Sequence, residues 1–419
     1  MSNKRSDIFS AVYLKNVSFM LFAYWAVLVV WQNVGYAQTR GAVDLIVKIV
    51  LLGCFVSFFL FNTKTINKNL IYVLLFSVAL LITLFSEPKI TSDVIISYVF
   101  PIIFLLMIYC FGNNHQINMR QLICFCNSVI IIVLYSAVYA LIFCRDQFMS
   151  AFSINNAYGN ELSSFFVSSH EYGMYLVYAI TACIFCLVFK KNEKFIKKLP
   201  YIVCIAVFVP NLILTFSRTA MLGAALIIVV YILFSKNRKL VIGFISLVCI
   251  AVIAVVFSPM LQDFIFKILL KGNNLAGRDE LFDLAIRYYN DGTLTDKLFG
   301  RGIITSRDFF EVATDHGSVH NAYLQVLIYY GAVGLICMIA FLFVQFIACI
   351  KEIKRDRFIG VMSLGMLSAA MAMMFTNTAM IFNSPIDSYF LTLFAVVIPK
   401  YVRNALYSDM FYESKQIKA

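Results

Sequence analysis

GRDELFDLAIRYYNDGTLTDKLFGRGIITSRDFFEVATDHGSVHNAYLQVLIYYGAVGL, residues 277–335, is the stretch on which the fold reading turns. It starts polar and ends as an unbroken apolar run, in a chain that otherwise reads as membrane. In RDELFDLAIRYY (278–289), Leu281, Leu284, Ala285 and Tyr288 recur at i, i+3, i+4 and i+7, which predicts a helix with one apolar face. NDGT (290–293) ends that helix, and Asn321 opens the apolar run. Upstream, Pro259 starts the segment, MLQDFIFKILL (260–270) is amphipathic enough to lie in an interface plane, and GNNLAG (272–277) is a turn cluster. A polar loop of this length is usually functional when it is ordered.

Outside it the composition is that of a bilayer protein. Hydrophobic residues make up 62% of the 419 and charged residues 13%, against about 25% charged in soluble proteins. The expected fold class is an all-α polytopic membrane protein with about 12 transmembrane helices and one long outer loop containing short helices. The apolar runs fall near 17–35, 43–62, 70–86, 94–111, 121–143, 171–189, 200–216, 219–234, 240–257, 322–349, 358–378 and 386–402. In domain terms, 1–257 holds nine membrane helices with an outer loop near 145–170. The segment 258–321 is the long loop region, and 322–419 holds three more helices and a tail.

Charge orients these helices. Lys4, Arg5, Lys15, Lys64, Lys68, Arg120, the 190–198 lysines, Lys236, Arg238, Lys239, the 351–357 cations and Lys400, Arg403, Lys415 and Lys418 all share one side if every run crosses once. The short opposite loops hold only Arg40, Lys89, Arg145 and Arg218. Positive charge marks the cytoplasmic side, so both termini are expected there and the 258–321 loop outside. The net charge of +12 is mostly this inner collar, which suits anionic lipid headgroups and needs no nucleic acid. No cleavable leader stands out, and the first apolar run is long enough to stay as an anchor. The 11 cysteines lie in or beside the apolar runs, so no disulfide framework is expected, and the Cys183/Cys186 pair reads as packing.

A few polar residues stand out against this background. Arg218 sits in PNLILTFSRTAMLGAALIIVV (210–230), where one apolar helix turns into the next. It is either an interfacial anchor or an anion site, in which a guanidinium pairs with helix N-terminal amides. Arg278 opens the loop helix, and Arg301 lies between Gly300 and Gly302, which permit close backbone approach to a ligand or make a plain turn. His320 leads directly into the apolar run and is either a cap or a proton carrier. His316 with His320 and Asp315 offers a weak zinc grip, disfavoured by Gly317. His170 and Glu171 open another helix on the same side as a second acid–base candidate. Gly331 and Gly334 read as close helix packing.

TFSRTAML (215–222), GRDELFDLAI (277–286), LFGRG (298–302) and HNAYLQVLIYYGAVGL (320–335) together resemble the O-antigen polymerase and O-antigen ligase family of bacterial envelope enzymes. Their order and spacing match, over roughly residues 170–350. The resemblance implies a GT-C-type glycosyltransferase membrane fold in the bacterial inner membrane, with its active site facing the periplasm. It implies a glycan donor on undecaprenyl diphosphate, a sugar hydroxyl as acceptor, inversion at the anomeric centre, and neither metal nor cofactor. By motif, His320 is the general base and Arg218 and Arg278 bind the diphosphate. Arg301, Asn321, His316 and Glu171 are further substrate-binding candidates. Membrane lipids, a chain-length regulator and a flippase are the implied partners. Between polymerase and ligase, the 320–335 motif and the Phe-, Ile- and Asn-rich composition favour the polymerase. A transporter of lipid-linked sugars would use the same anion but tends to show inverted repeats and broken helices. The sequence displays neither. A membrane scaffold or sensor would leave Arg218 and His320 dispensable.

Overall fold

A computed structural model describes residues 70–85, 87–91, 94, 95, 98, 99, 102, 119–152, 161–166, 168–190, 193–234, 238–259, 261–263, 278–314, 318–355 and 357–375. The apolar runs expected at 17–35, 43–62 and 386–402, most of 94–111, most of the amphipathic 260–270 segment, and His316 lie outside the described residues.

Among the described residues the structure is helical, with no strand. In chain order the helices are α1 (Leu70–Leu84), α2 (Met119–Phe143), α3 (Arg145–Phe152), α4 (Ser169–Phe189), α5 (Phe195–Leu214), α6 (Arg218–Phe234), α7 (Arg238–Phe257), α8 (Arg278–Asn290), α9 (Leu294–Phe299), α10 (Ile303–Thr314), α11 (Ala322–Arg355) and α12 (Arg357–Met374). Among the described residues, four stretches are long and apolar enough to cross a membrane: Cys126–Phe143, Ser169–Phe189, Phe195–Leu214 and Ala322–Lys354. Arg218–Phe234 and Gly360–Met374 are shorter apolar helices. Large apolar side chains such as Leu74, Ile131, Ile142, Ile245 and Phe343 are exposed along these helices. Water would penalise that arrangement, and lipid does not.

The described residues fall into two compact units. One draws on Met1–Ser128, Glu280–Gln345 and Met374–Ala419, the other on Val129–Asp279 and Phe346–Met373. In the second unit, α4 packs most extensively on α5 and also on α6. Its buried run from Tyr172 to Ala179 shows how deeply it sits. Ser168 caps α4 by accepting the Glu171 N–H. Side-chain oxygens at this position satisfy amides that the first turn leaves orphaned.

In the first unit the loop helices follow the sequence pattern closely. α8 buries Leu281, Ala285 and Tyr288 of the expected apolar face, with Leu284 half-buried. α9 begins on a capping box between Thr293 and Asp296 and ends at Gly300, whose φ of 85° suits a residue without Cβ. Asn321 caps α11, its Oδ1 accepting the N–H groups of Tyr323 and Leu324 at 3.0 and 3.1 Å.

One expectation needs correcting. The sequence displays no broken helix, yet α11 is interrupted at Gly331, where φ is 67° and ψ −171°. Periodicity cannot reveal such a break, because apolar residues continue on both sides of it. The interruption frees carbonyls, and the Arg301 and Gly302 N–H groups donate to those of Ile328 and Tyr329 at 3.1 and 3.3 Å. Irregular backbone at membrane depth is tolerated where protein fills the gap in this way.

Candidate anion and base sites

The turn before α6 carries Arg218. Thr215 ends α5 and its hydroxyl donates to the Leu212 carbonyl at 2.7 Å. Phe216 then takes a φ of 48°, a left-handed conformation that a bulky residue rarely adopts without support. Ser217 follows, fully buried, and its Oγ accepts the Ala220 N–H at 3.4 Å as the cap of α6. Arg218 is the first helical residue and is partly exposed. A cation beside helix N-terminal amides gives two kinds of donor to one anion.

Arg278 belongs to the same unit and feels Arg218 directly. Its guanidinium is held below its ordinary pKa, first by burial and second by the positive charge of Arg218. Two like charges brought near each other in a half-buried setting are costly alone and are relieved by an anion. The structure therefore brings together the two arginines that the motifs singled out.

Other candidates surround this turn. His170 Nδ1 lies 3.1 Å from Ser217 Oγ. Ser169 Oγ donates to Glu161 Oε2. Glu171 sits in the first turn of α4, its N–H taken by the Ser168 cap.

His320 lies in the first unit, partly buried, between buried Val319 and buried Asn321. Its φ of 53° takes the chain through a left-handed bend directly before the Asn321 cap. Histidine tolerates that region better than most side chains. Asn321, a substrate-binding candidate by sequence, has a structural task in capping α11.

Arg301 is directed at protein. Its guanidinium lies 4.2 Å from the centre of the Tyr288 ring, and its Nε is 3.7 Å from Asp296 Oδ2. The close approach that Gly300 and Gly302 permit is real, but its object is the interrupted part of α11 and the carboxylate of Glu87.

Glu87 is the residue that sequence reasoning missed. It is 6% exposed and accepts four hydrogen bonds. Tyr98 Oη donates to Oε1 at 2.8 Å, as does the Ile304 N–H at 2.9 Å. The Thr305 N–H and Oγ1 donate to Oε2 at 3.2 and 2.7 Å. Tyr98 Oη also accepts the Ile303 N–H at 2.9 Å. A carboxylate at a helix N-terminus satisfies orphan amides and opposes the positive end of the dipole. Nearby, Thr83 Oγ1 donates to the Phe299 carbonyl at 2.6 Å. The LFGRG segment is thus held by Thr83 and Glu87 on one side and by α11 on the other.

The described residues are helical, with several helices of membrane length, and Arg218 at the capped start of one helix acts on Arg278 at the start of another. Residues 203–339 match the family model described as O-antigen ligase, and the four motifs quoted from the sequence all fall within that segment. The match spans Arg218, Arg278, Arg301, His320 and Asn321. Comparison with curated proteins gives no match.

Proposed function

We propose that this protein is a polymerase of O-antigen or a related surface polysaccharide, acting at the periplasmic face of the bacterial inner membrane. It transfers a glycan from undecaprenyl diphosphate to a sugar hydroxyl of another lipid-linked repeat unit. The observation that carries this reading is the pair of Arg218 and half-buried Arg278, which feels the charge of Arg218, both within the matched segment. A diphosphate is a good leaving group once its charge is neutralised, and fixed guanidiniums supply that neutralisation.

In this reading His320 takes the proton from the acceptor hydroxyl. The hydroxyl oxygen bonds to the anomeric carbon from the face opposite the diphosphate. The old glycosidic C–O bond breaks, and undecaprenyl diphosphate leaves with the electron pair. A positioned base is worth about 10²–10⁴-fold in such a step. Metal is not required, because the arginines carry the electrostatic work. About twelve membrane helices in a GT-C-type arrangement, both termini cytoplasmic, complete the proposal. A flippase and a chain-length regulator are its expected partners.

A second reading is ligation of the glycan to lipid A core, and the description of the matching family model favours it. Transport of the lipid-linked sugar is a third. The break in α11 does not favour transport, because backbone of the loop fills it.

The test is the glycan profile of a deletion strain complemented with wild type or His320→Ala. Lipopolysaccharide bearing a single repeat unit in the deletion identifies a polymerase. Bare core with long lipid-linked chains identifies a ligase. A wild-type ladder from His320→Ala removes His320 from the mechanism.

A further inference from the structure

The first turn of α4 buttresses the turn that carries Arg218. Three contacts do this. His170 Nδ1 meets Ser217 Oγ at 3.1 Å. Tyr172 Oη donates to Asn211 Oδ1 at 3.0 Å, fixing the end of α5. At Gly173 the backbones come so close that a Cβ would lie 2.8 Å from Ala220 Cβ and 3.1 Å from Ser217 Cβ. All three bear on residues between Asn211 and Ala220, which flank Arg218, and Phe216 among them holds a conformation that needs such support.

Of these contacts, only that of His170 is a hydrogen-bond contact with the residue directly before Arg218. Ser217 Oγ already accepts the Ala220 N–H as the α6 cap. Its hydroxyl therefore has one proton to give and one lone pair left, and either serves the His170 ring nitrogen. We infer that His170 is a positioning residue of the anion site, which fixes through the Ser217 hydroxyl the turn presenting Arg218 to a diphosphate. The inference rests on the proposed reading of Arg218 as a diphosphate ligand. It gives His170 no part in proton transfer to the acceptor. A misplacement of about 1 Å can cost a hundredfold where a charged group must meet a developing charge, so a single supporting hydrogen bond has leverage.

The chemistry of the contact supplies its own control. Asparagine places an amide atom where Nδ1 stands, whereas glutamine places it where Nε2 stands. The experiment measures farnesyl diphosphate binding to the full chain in lipid nanodiscs, together with turnover of the lipid-linked donor. His170→Ala and His170→Gln are expected to weaken binding about fivefold to tenfold and raise the donor KM, leaving the acceptor KM unchanged. His170→Asn is expected to restore both to within about twofold. Ser217→Ala should weaken binding at least as much as His170→Ala, because it also removes the α6 cap, and the double variant should be no worse than Ser217→Ala, as expected for two residues in one contact. If His170→Ala does not fold, His170→Gln keeps the side-chain volume and serves alone.

Wild-type binding by His170→Ala and His170→Gln, with binding lost in Arg218→Ala, overturns the inference and leaves the anion site standing. Equal loss in His170→Gln and His170→Asn also overturns it, because the contact through Nδ1 would then not be what matters. Wild-type binding by Arg218→Ala removes the anion site itself, and the inference with it.

Discussion

Gly300 and Gly331 pack against each other's neighbouring backbone, each by virtue of lacking a Cβ. A Cβ on Gly300 would lie 2.1 Å from the Tyr329 carbonyl oxygen, and one on Gly331 would lie 2.3 Å from that of Leu298. Both glycines also have positive φ, at 85° and 67°. The loop and the interrupted helix are therefore joined backbone to backbone, with the Arg301 and Gly302 amides completing the joint. Gly331→Ala meets both penalties at once, left-handed strain of about 1–2 kcal/mol and a clash with main chain that cannot swing aside. We expect a loss of about 3 kcal/mol or more in stability and no detectable glycan product. Gly243→Ala is the control, since nothing lies within 4 Å of its Cβ position. Thermal unfolding in detergent separates the two, and equal melting temperatures would refute the joint.

Glu87 ties the end of α1 to the start of α10 with acceptors only. Glu87→Gln replaces one acceptor oxygen with an amide that faces N–H and O–H donors. The expected cost is about 1–3 kcal/mol, for hydrogen bonds to a charged group lost in a buried place. Glu87→Asp retains the charge but falls short of Thr305, so an intermediate loss is expected. The measurement is the unfolding midpoint of each variant in denaturant. A glutamine variant as stable as wild type would mean that the carboxylate is not the acceptor described.

Much of this arrangement was legible in the sequence, and the parts that were not share a cause. The helix expected over 278–289 was visible because its signal is local, a 3.6-residue period, whereas Asn321 was legible as the start of the apolar run and its capping bonds emerge only in the structure. The proximity of Arg218 and Arg278 came from motif resemblance, not from spacing. Glu87 was invisible because its partners Ile304 and Thr305 lie 217 and 218 residues away, and a lone acid in a short turn carries no periodic mark. Gly331 was read as a packing glycine, which is correct in kind. Its φ is a tertiary outcome, set by the LFGRG segment on which it docks. Arg301 shows the same limit, since close approach by a glycine-flanked residue does not reveal what is approached.

The bend at His320 gives a clean way to test the proposed base without disturbing the chain. Asparagine tolerates the left-handed region and cannot accept a proton near neutral pH. His320→Asn should fold and accumulate as wild type while turnover falls about 10²–10⁴-fold. His320→Val should lose protein as well, because a β-branched residue resists φ of 53°. Protein level by immunoblot beside glycan yield reads both effects. An asparagine variant with full activity would make His320 a bend residue and nothing more.

Arg218→Lys keeps the charge and removes the paired donors. A point charge does not reproduce bidentate contact with a phosphate, so activity should stay near that of Arg218→Ala. Wild-type turnover by the lysine variant would return Arg218 to the status of an interfacial anchor.

Arg278 carries a stability cost that the proposed diphosphate site would explain. Its lowered pKa, from burial first and Arg218 second, means that the unfolded chain holds the proton more tightly than the folded one. The cost is present at every pH below the folded pKa, which includes all physiological pH. It disappears only as pH rises through the interval between the folded and unfolded values. Partial solvent exposure reduces its size, so the effect on stability is small but its sign is fixed. Arg278→Gln should therefore raise the melting temperature of the ligand-free protein slightly while abolishing the stabilisation that farnesyl diphosphate gives the wild type. Mass action predicts the second half, since a ligand stabilises only the state that binds it. Paired melting curves with and without the diphosphate read both terms. A variant that melts lower and still responds to the ligand would place Arg278 in the scaffold and leave Arg218 without its partner.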